Sequence, residues 1–163
     1  MPSAQHTVTI NRPPEAVFAY VLDGEKCPEW RSHVLDIKRI SGDGGVGTVY
    51  AQGVGGPMGR RIAADYTVTV CEPNRLLEFQ TIAGPARPHG RFEIQPEGDG
   101  ARLTLSLDAQ MKGIAGLFMG GMVQKTMDSE VRNVERIKAN LESQGQAAAS
   151  TTPESPSDEG RQK

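Results

Sequence analysis

Residues 123–142 read VQKTMDSEVRNVERIKANLE. Val123, Met127, Val131, Val134, Ile137 and Leu141 recur every three or four residues, so at about 100° per residue they form one stripe. The other faces carry both charge signs, with Asp128 and Arg132 spaced i, i+4 as on a solvated helix surface. The spacing predicts an amphipathic helix from about Gly116 to Glu142, on the order of 40 Å long at 1.5 Å per residue. A stripe of that length needs a matching apolar surface to lie on.

The residues before it supply that surface. Leu103, Leu105 and Leu107 alternate with Thr104, Ser106 and Asp108, and Phe92 and Ile94 alternate with Arg91 and Glu93. Leu77 and Phe79 share a side of Leu76–Ile82. Ile62, Ala64, Tyr66, Val68 and Val70 are expected on one face of a long strand, Arg61–Glu72. Val34–Ile40, Gly47–Gly53 and His6–Ile10 complete the set. Period-two patterning gives each strand one wet and one dry face. Short turns such as Gly42-Asp-Gly-Gly45, Pro73-Asn74 and Pro96–Gly100 link successive strands, which predicts an antiparallel meander. Between the first two strands, Pro13-Pro14-Glu15 opens a helix carrying Val17, Phe18, Val21 and Leu22. Proline suits a first turn, where its missing N–H has no helical partner, and Glu15 complements the helix dipole. Glu25–Trp30 is a second short helical turn. These elements predict an α+β fold in which a curved antiparallel sheet wraps one long C-terminal helix.

Composition narrows the function. The 163 residues hold 18 Lys+Arg against 20 Asp+Glu, a formal net charge of −2. No basic stripe stands out, so no nucleic-acid partner is expected. The apolar run Ile114–Val123 is about half of the roughly 20 residues a membrane-spanning helix needs, so no span is expected. The N-terminal MPSAQHTVTI lacks a basic flank and an apolar core, so no secretory signal is read. Cys27 and Cys71 make neither a disulfide framework nor a metal site. They read as reduced, partly buried thiols of a cytoplasmic protein. His6, His33 and His89 have no metal-ligand spacing, and no cofactor is expected. From Ser143 to Lys163 the apolar side chains are alanines alone. Residues 1–142 are therefore read as one domain and 143–163 as a disordered polar tail.

Two motifs are decoys. Gly42-Asp-Gly44-Gly-Val-Gly47 matches a dinucleotide-binding pattern, but a strand follows it where a helix N-terminus is needed, so it reads as a hairpin turn. Gly116-x-x-x-Gly120 has no membrane span around it. No Ser/His/Asp or Cys/His signature is present, so catalytic residues stay unassigned.

Five features occur in order: a strand leading into Pro13-Pro14-Glu15-Ala-Val17-Phe18, then Asp23 before Pro28-Glu29-Trp30, then Gly47-Thr48, then Glu72-Pro73-Asn74-Arg75-Leu76, and a final helix ending Ile137-Lys138-Ala-Asn-Leu141-Glu142. Together they resemble the polyketide cyclase/dehydrase-like branch of the START-like (SRPBCC) superfamily over about residues 4–142. The resemblance implies a helix-grip fold: a seven-stranded antiparallel sheet gripping the C-terminal helix, two short helices after the first strand, and a hydrophobic cavity between sheet and helix. It implies a small hydrophobic partner that is lipid-, polyketide- or quinone-like. Cyclase/dehydratase enzymes and non-catalytic accessory proteins similar to the G-type subunit of carbon monoxide dehydrogenase remain alternatives. No shared catalytic set spans the superfamily, so none carries over.

The candidate lining residues are Trp30, Tyr50, Tyr66, Phe79, Phe92, Leu105, Met119, Val123, Met127 and Glu130. By composition alone most of them read as plain core, the resemblance turning some into cavity walls, and Trp30 reads as a packer of the helix–loop. Tyr50 is assigned to neither face, and His33 is either a surface histidine or a cavity base. Glu130 stands out because it lies near the middle of the apolar stripe. A carboxylate there must be paired, protonated or turned to a polar cavity. Either it pairs with a strand arginine or reaches solvent, or it meets a ligand oxygen with its pKa raised by desolvation. The strand edges allow a monomer or a homodimer.

Overall fold

The computed structural model describes residues 2–110 and 114–150, with the side chains of 114–119 and 148–150 outside the description. The elements in order are β1 (Ser3–Ile10), α1 (Pro14–Leu22), a 3-10 turn at Gly24–Lys26, α2 (Cys27–Trp30), β2 (Val34–Ser41), β3 (Val49–Gly55), β4 (Arg61–Ala63), β5 (Tyr66–Glu72), β6 (Leu76–Thr81), β7 (His89–Glu97), β8 (Gly100–Asp108), α3 (Ile114–Val131) and α4 (Val134–Ser150). The fold is α+β. Seven strands run in the order β1-β8-β7-β6-β5-β3-β2, and β4 is a short eighth beside β3. Every pairing is antiparallel. Among the described residues no helix is long and apolar enough to cross a membrane.

Local chemistry sets the boundaries. Pro14 opens α1, and the Pro13 carbonyl accepts from Ala16 and Val17 N–H at 3.0 and 3.2 Å. Asp23 ends the helix, and its carboxylate accepts from the Glu25 N–H at 3.1 Å to start the next turn. Gly42–Gly47 is the β2–β3 turn, tied by the buried Thr48 hydroxyl accepting from the Gly44 N–H at 2.8 Å. The hairpin reading of that motif holds.

Four local features depart from the pattern-based expectation. The strand expected over Arg61–Glu72 is split at Ala64-Asp65, because the Asp65 carboxylate takes the Gln52 N–H at 3.0 Å in place of a ladder carbonyl. The β5–β6 register then shifts between Val68 and Val70. Val68 opposes Phe79, but Val70 opposes Glu78 and Cys71 opposes Leu77. Cys71 therefore takes the inward place expected of Val70, since one inserted residue flips the parity of the rest of the strand. The C-terminal helix is broken at Arg132-Asn133, where the Asn133 N–H bonds the Glu130 carbonyl and the Arg136 N–H bonds the Asn133 carbonyl, both at 3.0 Å. These are i→i+3 bonds of a tightened turn. Finally, α4 continues through residues 143–150, part of the tail read as disordered. The Arg12 guanidinium donates to the Leu141 carbonyl at 2.8 Å and its side chain lies against Gly145. Alanine is the best helix former, so low apolar content there marks an exposed helix end. Residues 151–163 lie outside the described residues.

The apolar stripe crosses the helix break intact. Met127, Val131, Val134, Ile137 and Leu141 are all buried, and Val134 and Ile137 completely. They meet Val8 and Ile10 of β1 and Leu103 and Leu105 of β8 in one core, which α1 joins through Val17, Phe18 and Val21. Full burial of each such side chain contributes about 1.5–3 kcal/mol. The principal helix contacts fall on β1 and β8 for α3 and α4, and on β7 and β8 for α1.

Candidate functional site

Among the described residues, the inner face of β3, β5 and β6 receives fewer helix contacts than β1 and β8, and on it Tyr66 and Phe79 stay only partly buried. Facing pairs in the ladders carry one aromatic row across it: Tyr50 opposes Tyr66, Val68 opposes Phe79, Leu77 opposes Phe92, and Phe92 opposes Leu105. Tyr50 and Tyr66 stack at 5.1 Å between centroids, Tyr66 meets Phe79 at 5.4 Å, and Phe79 meets Phe92 at 6.0 Å. Trp30 closes the row edge-on to Phe92 at 6.1 Å. Gly90 opposes Phe79, and a Cβ there would overlap the ring. The missing side chain lets Phe79 lie along the sheet.

The expected lining residues divide in two. Trp30, Tyr50, Phe92, Leu105 and Met127 are buried, at 5% exposure or less, and pack as core. Tyr50 faces inward, where the Gly24 backbone covers its ring and its hydroxyl reaches the Leu22 carbonyl at 3.5 Å. Tyr66, Phe79 and Val123 pack against this core but are only half-buried, and so is Glu130. The side chain of Met119 lies outside the described residues.

Glu130 projects from the end of α3 into a polar cluster. Arg31, the residue after α2, donates from Nε to Glu130 Oε2 at 2.9 Å and from Nη1 to Gln52 Oε1 at 3.0 Å. His33 Nε2 lies 2.5 Å from Glu130 Oε1. Gln52 is 3% exposed and donates from its amide nitrogen to the Ala64 carbonyl at 3.2 Å. Side-chain accessibility is 17% at Arg31 and 15% at Glu130, so the pair is screened from water without being sealed. The Arg31 guanidinium also lies 5.8 Å from the centre of the Trp30 ring. The buried Cys27 thiol meets both the Tyr66 hydroxyl and the Arg31 guanidinium.

The electrostatics correct one expectation. Burial pushes the Glu130 carboxyl up, but the Arg31 guanidinium and His33 outweigh it, and the net shift is downward. Glu130 is therefore held ionised, and its pairing partner is a loop arginine where a strand arginine was the expected candidate. Burial raises both the Cys27 thiol and the Tyr66 hydroxyl, so both stay protonated. A buried thiol kept protonated is a poor nucleophile.

Arg31 and Gln52 escaped the pattern reading, although each carried a signal. A carboxylate in an apolar stripe demands a cation, and Arg31 adjoins Trp30 in the segment facing that stripe. Gln52 shares the parity of Tyr50 on β3, which makes it an inward polar residue. On the outer face of the sheet a polar groove of about 280 Å³ is lined by Gln5, Thr7, Glu93, Gln95, Arg102 and Thr104. It lacks the apolar surface that an oily molecule needs.

The sequence profile of the family described as polyketide cyclase/dehydrase and lipid transport matches residues 1–142. No curated protein shows significant sequence similarity to the chain. Among solved structures, the Thermus thermophilus protein TTHA0849 is 24% identical over 91% of this chain and 99% of its own, with a TM-score of 0.70. A START superfamily protein from Mycobacterium smegmatis is 19% identical over 87% and 98%, with a TM-score of 0.72. The di-domain ARO/CYC StfQ of the steffimycin biosynthetic pathway is 15% identical over 88% of this chain and 52% of its own, so this chain spans about half of it (TM-score 0.70). At these identities the likeness is one of fold.

Proposed function

Because this chain belongs to the polyketide cyclase/dehydrase and lipid transport family, we propose that it binds a small hydrophobic molecule on the inner face of β3, β5 and β6. The molecule lies along Phe79 and Tyr66, with Val123 of α3 on its other side and the Arg31–Glu130–Gln52 cluster at its polar end. One observation carries the reading. Tyr66 and Phe79 point inward from central strands and keep accessible surface, while their same-face neighbours Phe92, Leu105 and Leu103 are buried. A solidly packed interior would bury all five alike. Sites for small apolar ligands combine an apolar wall with a few orienting polar groups, and this face has both. A cyclase or dehydratase would need a group that gives and takes a proton. Glu130, held ionised by Arg31 and His33, supports anchoring in preference to that chemistry.

The test is a fluorescence titration with the neutral dye N-phenyl-1-naphthylamine. Saturable binding is expected, weakened about tenfold or more by Phe79→Ala. Absence of binding, or binding that Phe79→Ala and Val123→Ala both leave unchanged, would remove the site from this face.

A further inference from the structure

The donors of Arg31 can be counted. A guanidinium has five N–H groups and no acceptor. Nε–H meets Glu130 and one Nη1–H meets Gln52. Nη2 lies 3.2 Å from His33 Nε2. That nitrogen is also 2.5 Å from Glu130 Oε1, and a carboxylate oxygen only accepts. His33 Nε2 therefore carries the proton and cannot accept from Arg31 as well. The weakly accepting Cys27 thiol is the one further hydrogen-bonding partner of the guanidinium among the described residues, so Nη2 meets no oxygen acceptor there, and the charge is already neutralised by Glu130.

We infer that Glu130 sets ligand specificity by charge: the cluster accepts an uncharged oxygen, as in an ester, ketone or alcohol, and rejects a carboxylate. This inference rests on the binding reading above. An acceptor oxygen that reaches the guanidinium offers its remaining donors a stronger partner than the Cys27 thiol does, and 17% of the arginine side chain as a whole remains accessible. An anionic ligand finds the Arg31 charge already compensated by Glu130. It also meets the Glu130 carboxylate across the same guanidinium, in surroundings where like charges repel more strongly than in water. Burying an ion without a free counter-charge is costly. Removing the charge of Glu130 while keeping its shape reverses the balance, because Arg31 then has a free positive charge.

The experiment compares three probes with one ring body at pH 7.5: 2-methylanthracene, the methyl ester of anthracene-2-carboxylic acid, and anthracene-2-carboxylate. The wild-type protein is expected to bind the ester at least tenfold more tightly than the carboxylate. In Glu130→Gln that ratio is expected to fall at least tenfold, through gain of carboxylate binding. The wild-type ratio decides by itself if the variant does not fold: equal or tighter carboxylate binding overturns the inference. An unchanged ratio in folded Glu130→Gln overturns it too. Equal binding of all three probes leaves the apolar reading standing and removes the charge selection. Failure of all three to bind overturns the binding reading and the inference with it.

Discussion

Consider the Arg31–Glu130 pair as a structural tie. Two unit charges about 4 Å apart attract by on the order of 4 kcal/mol at an effective dielectric constant of about 20. With 17% and 15% of their side chains accessible, Arg31 and Glu130 sit near that regime. Removing one partner of such a pair leaves the other charge uncompensated and costs about 3–5 kcal/mol. Glu130→Gln keeps an acceptor for Arg31 Nε, so its cost is expected at the lower end, about 3 kcal/mol. Arg31→Gln is expected to cost a similar amount. The double variant has no stranded charge, and the two losses are expected to fall short of additivity by about 2 kcal/mol. Urea unfolding followed by fluorescence gives these numbers, because the single tryptophan, Trp30, is 4% exposed and leaves the core on unfolding. Acid supplies a second reading. Interactions in the folded state hold the Glu130 carboxyl below its ordinary value of 4.5. The contribution is therefore complete above the unfolded-state value and is lost as pH falls through the lower folded-state value. The coupling should be full at pH 7 and shrink below about pH 4.5. Single variants within 0.5 kcal/mol of wild type at pH 7, or strictly additive ones, would refute the tie.

Three further outcomes are expected. Phe92→Ala should cost about 3–5 kcal/mol as a fully packed core aromatic, whereas half-buried Phe79→Ala should cost less stability but most of the dye affinity; urea unfolding and dye titration of both variants separate the two effects. Leu141→Ala, 2% exposed where α4 meets the core, should destabilise by about 2–5 kcal/mol, seen as a lower urea midpoint. Gly90→Ala puts a Cβ into the Phe79 ring and should cost about 1–3 kcal/mol, with displaced Phe79 ring resonances in an aromatic carbon–proton NMR spectrum.

The sheet and its helix were legible because their signal is periodic. The alternation of Leu103, Leu105 and Leu107 and the stripe from Val123 to Leu141 each extend over many residues, and one local exception does not erase them. Side-chain hydrogen bonds that replace backbone ones were not legible. The Asp65 carboxylate breaks a strand, and the inserted Thr69 turns Cys71 inward in place of Val70. Neither leaves a mark on hydrophobic spacing. The helix break at Arg132-Asn133 was hidden because the stripe stays in phase across it. Glu130 was visible as a charge out of place, but its partners Arg31 and His33 were not, since they come from a loop at sequence separations of 99 and 97. Its protonation state depended on those partners, which is why desolvation alone suggested the wrong direction.

The central claim is that an oily molecule lies on the inner face of β3, β5 and β6. A side-chain carbon–proton NMR titration of the full chain with the methyl ester of anthracene-2-carboxylic acid tests it most directly. The account predicts saturating shifts at Phe79, Tyr66 and Val123, with Val8 and Ile10 of the β1 core unmoved. Shifts confined to the outer face around Thr7 and Thr104, or none at Phe79 and Tyr66 at saturating probe, would contradict it.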